Sequence, residues 1–182
     1  MNIRVVLVDT KNDQTRREVY EILERIDHEF VPPLSGRGSS AATNLAVSFD
    51  AAAHQLGEYV DEVMGQVIVF AKVAGTVVGI FTFRAAYFLA ALDDYSPCNY
   101  ITTVGTHPNF RNIGVGRAMY CFALNHLSTI YPGLYWATRT WSTNEKHLKL
   151  LEQLGFKLVK VLKNDRGDAI DTLYLALRMT SP

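Results

Sequence analysis

The stretch Arg111-Asn112-Ile113-Gly114-Val115-Gly116-Arg117 decides how the rest of this sequence reads. Before it, Tyr100 to Thr106 is an apolar, β-prone run. After it, apolar residues recur at helical spacing from Gly116 to about Ile130. A strand therefore feeds a glycine-containing turn, and the turn opens a helix. The first turn of a helix leaves backbone N–H groups unpaired, and the helix dipole makes that end mildly positive. Glycines let an anion approach the backbone, and the flanking arginines add full charges. The local chemistry is that of a phosphate or pyrophosphate cradle.

Upstream of the cradle, Ile3 to Val8 reads as a strand. Val19, Ile22, Leu23 and Ile26 form a helical stripe, with Thr15 and Glu18 as a capping box. Val31 to Ser40 holds two prolines and two glycines and reads as a long loop. Leu56, Tyr59, Val60 and Val63 suggest a second helix after Asp50. Val67–Val73, Ala74-Gly75 and Thr76–Phe83 read as a hairpin, with Arg84 to Ala91 extending its second strand. Asp93 to Pro97 is a turn. Gly105 falls inside the strand before the cradle, where a glycine marks a bulge or a close backbone approach.

Downstream, Val115, Met119, Phe122, Ala123, Leu127 and Ile130 define the buried face of the central helix. Leu134 to Thr140 is a strand. Ser142 and Glu145 form a second capping box for a helix that Gly155 ends. Lys157–Leu162 and Ile170–Leu177 are the last strands, joined by Asn164 to Asp168. The order β-α-α-β-β-β-α-β-α-β-β predicts a mixed α/β (α+β) sheet flanked by helices, in one domain over residues 1–182.

Bulk composition narrows the partners. The chain of 182 residues carries 18 basic and 18 acidic side chains, which argues against nucleic-acid binding through bulk charge. Cys98 and Cys121 lack metal-ligand spacing, so no metal is expected and reduced thiols are favoured. No run is long enough to span a bilayer, and the start lacks a signal peptide's apolar core. No nucleic-acid or membrane partner is expected, and the location expected by default is cytoplasmic.

Three nucleotide sites compete for the cradle. A P-loop needs Gly-Lys-Ser/Thr, which is absent. A dinucleotide site wants a small residue where Met119 stands and an acid where Ala137-Thr138-Arg139 stands. The third is an acyl-coenzyme A site. Arg111-Asn112-Ile113-Gly114-Val115-Gly116 matches the Arg/Gln-x-x-Gly-x-Gly/Ala signature of the GNAT acetyltransferase superfamily. His107-Pro108-Asn109-Phe110 resembles that family's strand-to-loop exit, and Val73 to Gly79 resembles its second hairpin. Asn144 through Leu154-Gly155-Phe156 resembles its later helix. The sequence resembles the family from about residue 3 to 178, and the resemblance implies a mostly antiparallel sheet of about seven strands, about four helices and a bulged, splayed fourth strand.

The resemblance implies acetyl-CoA as co-substrate, and an acetyl group passing by direct attack to a primary amine of a small molecule or peptide. Coenzyme contacts are then expected from Arg111, Asn112, Ile113, Gly114, Val115, Gly116, Arg117 and Asn144, with the pantetheine arm along Val104 to Thr106. The backbone N–H near Thr106 is the candidate for polarising the acetyl carbonyl. The bulge is expected at Gly105. The family often carries a tyrosine acid four residues before Gly-Phe, but here that residue is Leu151. His147 and Tyr174 are the substitutes to consider, and Tyr100 or a threonine is the candidate for holding a relay water. Arg37 is the one charge in the loop that lines the acceptor cleft in such folds. It is either an exposed surface arginine or a partner for a substrate carboxylate or phosphate. Tyr87 is a candidate acceptor wall. A homodimer is compatible with the sequence. The missing tyrosine keeps a second function open, an acyl-CoA sensor or interaction module without catalysis.

Overall fold

The computed structural model describes residues 2–42, 44–48 and 55–179. Within them lies a seven-stranded sheet in the order β1-β2-β3-β4-β5-β7-β6. The strands are β1 (Arg4–Leu7), β2 (Val67–Val73), β3 (Thr76–Tyr87), β4 (Cys98–Thr106), β5 (Tyr135–Trp141), β6 (Lys157–Leu162) and β7 (Thr172–Arg178). Every neighbouring pair is antiparallel except β4–β5, which is parallel. The mixed α/β sheet read from the sequence is therefore the sheet observed.

The β2–β3 hairpin shows why its turn was legible. Ala74 and Gly75 both take positive φ, at 49° and 87°, as the tight turn between twisted strands requires. Helix α1 (Asp13–Ile26) starts differently from expectation. Asn12 is its N-cap and accepts from Gln14 N at 2.8 Å. The Thr15–Glu18 box does not form: Thr15 donates to the Asp9 carbonyl and Glu18 pairs with Lys72. The short helix α2 (Leu45–Ser48) precedes α3 (Leu56–Met64). The helix expected after Asp50 thus begins at Leu56, and Asp50 lies outside the described residues, as does Met1.

The central helix is interrupted. It runs as α4 (Val115–Phe122), a wider π turn over Ala123–Leu127, and a last turn α5 (Ser128–Ile130). The expected buried face holds as far as Leu127 except at half-buried Phe122, and Tyr120 joins it. Ile130, expected on that face, is 58% exposed, because a π turn inserts a residue and alters the register after it. Helix α6 (Glu145–Gln153) is preceded by Asn144 as N-cap. The Ser142–Glu145 box is not made, since Ser142 Oγ accepts from Asp171 N.

Two apolar layers cover the sheet. Val115, Met119, Tyr120 and Leu151 pack with Phe81, Phe83, Ile101 and Trp136 on one face. Val19, Leu23 and Ile26 of α1 and Tyr59, Val60 and Val63 of α3 cover Ile68, Phe70 and Ile80 on the other. Burial of that many large side chains at about 25 cal/mol per Å² supplies most of the drive to fold.

Two glycines set how closely the layers approach. A Cβ on Gly79 would lie 2.7 Å from Val115 Cγ1, so β3 fits under the start of α4. A Cβ on Gly105 would lie 2.1 Å from Ile26 Cδ1. Gly105 is therefore the close-approach glycine and not the bulge, for it pairs regularly with Ile80. The bulge is three residues earlier. Thr82 faces Thr103 and Phe83 faces Ile101, which leaves Thr102 as the extra residue on β4.

Candidate active site

The bulge and the parallel pairing together open the sheet. β4 and β5 pair only at Asn99–Trp136, Tyr100–Ala137 and Ile101–Thr138. Beyond Ile101 the two strands separate, and Thr138 Oγ1 donates to the Ile101 carbonyl at 3.3 Å where they part. From Thr102 to Thr106, β4 has a partner on its β3 side alone. Alternate backbone groups of that segment thus face the gap unpaired. The gap belongs to a cleft of about 660 Å³ that runs from the cradle to the loop around Arg37.

At one end stands the cradle. Asn112 and Gly114 take positive φ, 61° and 89°, and Gly114 is the N-cap of α4. Nothing lies within 4 Å of where a Gly114 Cβ would be. The N–H of Ala118 donates to the Gly114 carbonyl at 2.9 Å. The N–H groups of Arg111 to Arg117 before it have no protein acceptor among the described residues. Arg111 ion-pairs with Glu29, three residues beyond α1, and Arg117 donates to Gln153 on α6. Lys146 and Lys149, three residues apart on α6, also line this end. Sequence reasoning missed them, although their spacing behind Asn144 is a readable signal.

In the middle of the cleft is a small polar chain. Asn144 Nδ2 donates to Thr140 Oγ1 at 3.1 Å, and His147 Nδ1 lies 3.3 Å from the same hydroxyl. His147 Nε2 is 2.8 Å from the buried Tyr120 hydroxyl. Burial pushes the imidazole down to about 4, so it is neutral at pH 7. Burial also pushes the Tyr120 phenol up. Asn144, Thr140 and His147 line the cleft, while Tyr120 stands behind them. Leu151 is 0% exposed and packed into the core, so the usual tyrosine position turns away from the cleft here.

The sequence candidates are distributed unevenly. Val104, Thr106, Arg111, Asn112, Gly114, Val115, Gly116, Arg117, Asn144, His147 and Arg37 all line the cleft. Ile113 belongs to the cradle loop, with its side chain 40% exposed. Tyr100 and Tyr174 are fully buried behind the wall. Tyr87 stacks on Tyr100 and carries the Arg84 guanidinium over its ring, away from the cleft lining.

At the far end, Arg37 is 7% exposed, which removes the reading of an ordinary surface arginine. Arg139 and Arg166 join it there. Neither was singled out from the sequence, where Arg139 is simply a strand residue and Arg166 a turn residue.

The sequence pattern of the Acetyltransferase (GNAT) family matches residues 36–156. No curated protein matches the sequence. Among solved structures, an N-acetyltransferase from Staphylococcus aureus Mu50 superposes with a TM-score of 0.67 at 13% identity, over 98% of this chain and 99% of its own. An aminoglycoside 6'-acetyltransferase type Ii gives 0.71 at 15% identity, over 98% and 99%. An aminoglycoside 6'-N-acetyltransferase complexed with coenzyme A gives 0.67 at 14%, over 98% and 99%. At such low identities these likenesses speak for the fold. With the family pattern covering well over half the chain, and with the open cradle and splayed strands in place, this protein belongs to the acetyltransferase (GNAT) family.

Proposed function

We propose that this chain transfers an acetyl group from acetyl-CoA to a primary amine of a small molecule or peptide. The observation that carries the reading is continuity. One cleft joins a row of backbone N–H groups at Arg111–Arg117 to the edge of β4 at Thr102–Thr106, both without a protein partner on the cleft side among the described residues. A diphosphate suits the first, and an extended amide-bearing arm suits the second. The coenzyme complex of one structural neighbour agrees with this assignment.

Acetyl-CoA, when bound, supplies a thioester already activated for acyl transfer. The chain's own residues would do the remainder. Gly114 keeps the approach to the cradle free of side chain, and Lys146 and Lys149 add positive charge beside it. A backbone N–H at the Thr106 end of β4 would polarise the acetyl carbonyl. The amine nitrogen forms the new C–N bond as the C–S bond breaks, so one proton leaves nitrogen and one reaches sulfur. Thr140 and His147 stand at the cleft wall with Tyr120 behind them, a chain able to hold or pass that proton at His147 Nδ1 or Thr140 Oγ1. Holding both substrates in one cleft supplies much of the remaining acceleration.

Thiol release from acetyl-CoA over an amine panel tests the reading. Turnover with at least one amine, saturable in both substrates, is the expected result. Leu151 in the core favours the second reading, an acyl-CoA sensor without catalysis. Tight coenzyme A binding with no thiol release from any amine would establish the sensor instead.

A further inference from the structure

Three guanidinium groups meet at the end of the cleft away from the cradle, and they come from distant parts of the chain. Arg37 lies in the loop after α1, Arg139 on β5 and Arg166 in the turn between β6 and β7. Arg37 and Arg166 are 7% and 6% exposed, and Arg139 is part-buried. Their charges are close enough to act on one another. Burial, with repulsion from Arg139, lowers Arg37 to about 10. Burial, with repulsion from Arg37 and Arg139, lowers Arg166 to about 9. Both remain charged at pH 7.

None of the three forms an ion pair among the described residues. Their partners are mostly backbone carbonyls. Arg37 Nε and Nη2 donate to the Pro32 carbonyl at 2.9 and 2.6 Å. Arg139 donates to the carbonyls of Ala42 and Ser40 and, at 3.5 Å, to the Tyr174 hydroxyl. Arg166 donates to Thr172 Oγ1 at 2.9 Å and to the Val31 carbonyl. That leaves Arg37 Nη1, Arg139 Nε and Arg166 Nη2 without a protein acceptor among the described residues. The hydroxyl of fully buried Tyr100, which feels the charges of Arg139 and Arg166, also lacks a hydrogen-bond partner among the described residues.

The nearby carboxylates make no ion pair with the three arginines among the described residues, although Asp27 attracts Arg37 and Asp165 attracts Arg166 at longer range. Asp165 accepts from Asn44 N at 2.7 Å and from Thr172 Oγ1. Asp27 accepts from Ser35 N and Oγ. Glu62 pairs with Arg84 and holds Ser39 and Ser40, and Glu29 pairs with Arg111. Withdrawing a cation from water is costly unless an anion meets it. Three cations on one cleft wall, without an ion pair among the described residues, therefore suit an anion supplied from outside the chain.

We infer that the acceptor is an amine that also carries a carboxylate or phosphate, and that Arg37, Arg139 and Arg166 bind that anion. The inference rests on the acetyl-transfer reading for its amine and on the arginine cluster for its anion. Guanidinium forks suit both anions geometrically. The same positive field disfavours the ammonium form of the acceptor, which leaves more of it as the neutral nucleophile. Polycationic amines are repelled from this end.

The test uses matched amines with the whole protein and acetyl-CoA. β-Alanine is set against propylamine, O-phosphoethanolamine against ethanolamine, and spermidine serves as the polycation. In thiol release, kcat/KM is expected to be about tenfold or more higher for the anionic member of at least one pair, and lowest for spermidine. The better pair tells carboxylate from phosphate. Arg139→Gln should collapse that ratio, and Arg139→Lys should restore part of it. A second arm needs no turnover. Succinate or inorganic phosphate should raise the Tm of protein saturated with coenzyme A, above sodium chloride of equal ionic strength, and the rise should vanish in Arg139→Gln. A preference for neutral or polycationic amines overturns the inference, as does the absence of any anion-specific rise in Tm. If no amine is acetylated but phosphate or succinate stabilises, acetyl transfer falls and the anion site stands. If Arg139→Gln shows no cooperative melt, the matched amines and the two anions on the unaltered protein decide the matter.

Discussion

The two ends of the cleft solve the same problem by different means. The cradle end presents anion-binding groups from the backbone, within one stretch, Arg111–Arg117, at the start of α4. The far end presents three side chains, Arg37, Arg139 and Arg166, brought together by the fold. A backbone site needs particular residues mainly where φ must be positive or a side chain must be absent, so it leaves a contiguous motif. A side-chain site leaves isolated residues that look ordinary until the sheet is assembled. The half of the proposed chemistry that would bind the coenzyme is therefore written locally, and the half proposed to select a substrate is scattered.

The largest expected effect breaks the first end alone. Gly114→Glu places a carboxylate in the cradle and puts a side chain at φ 89°. Both changes oppose a diphosphate. Coenzyme A affinity, measured by calorimetry, should fall by about a hundredfold or more, since a like charge at close range costs several kcal/mol. Binding equal to that of the unaltered protein would remove the cradle from the coenzyme site. Stabilisation by succinate or phosphate at the arginine end should survive, because none of the three arginines comes within 4 Å of where a Gly114 Cβ would stand.

The middle of the cleft provides the next effect through His147. Its imidazole is held at about 4 against an ordinary 6.5, with burial as the cause, so the unfolded chain binds the proton more readily than the folded one. The stabilisation is fully present above about pH 6.5 and is lost as pH falls through that window to about 4. The span corresponds to roughly 3 kcal/mol. Chemical denaturation at several pH values should show that slope in the unaltered protein and lack most of it in His147→Gln. An unchanged slope in the variant would mean that the imidazole is not held neutral by the fold.

How far the sequence was legible follows the same division. The β2–β3 hairpin announced itself because Ala74-Gly75 sits between two apolar runs rich in β-branched residues. The capping boxes failed because their spacing is also met by residues with other partners: Asn12 caps α1 while Glu18 reaches Lys72. Gly105 was legible as special but not as to why. A missing Cβ serves a bulge and a close approach equally, and only the position of Ile26 decides. Ile130 was misplaced because periodicity assumes an unbroken α-helix, and the π turn at Ala123–Leu127 breaks it. Arg139 and Arg166 carry no local signal, since a strand arginine and a turn arginine are usually solvated.

Gly105 leads to a smaller effect, on stability. Gly105→Ala would set a methyl group 2.1 Å from Ile26 Cδ1, so α1 or the Ile26 rotamer must move. Overpacking of this kind costs about 1–3 kcal/mol. Ile26→Val removes that methyl, so the double variant should be more stable than Gly105→Ala alone, in a denaturant cycle. Simple additivity of the two changes would mean that the contact is absent and that α1 sits further from β4.

The smallest effect separates the two glycines of the cradle. Gly116 lies inside α4, and a Cβ there would make an ordinary contact, 3.6 Å from Leu150 Cδ2. Alanine suits a helix better than glycine, so Gly116→Ala should leave stability unchanged or raise it by up to about 1 kcal/mol. Its methyl would still stand where the first turn meets the bound diphosphate. Coenzyme A affinity should therefore fall modestly, by less than about tenfold, while the Tm stays level or rises. Opposite signs for stability and binding would show that Gly116 is kept for the ligand's approach and not for the fold. A loss of both together would mean that the helix start is packed too tightly for a methyl. Gly114 would then be the one cradle glycine whose absent side chain serves the coenzyme.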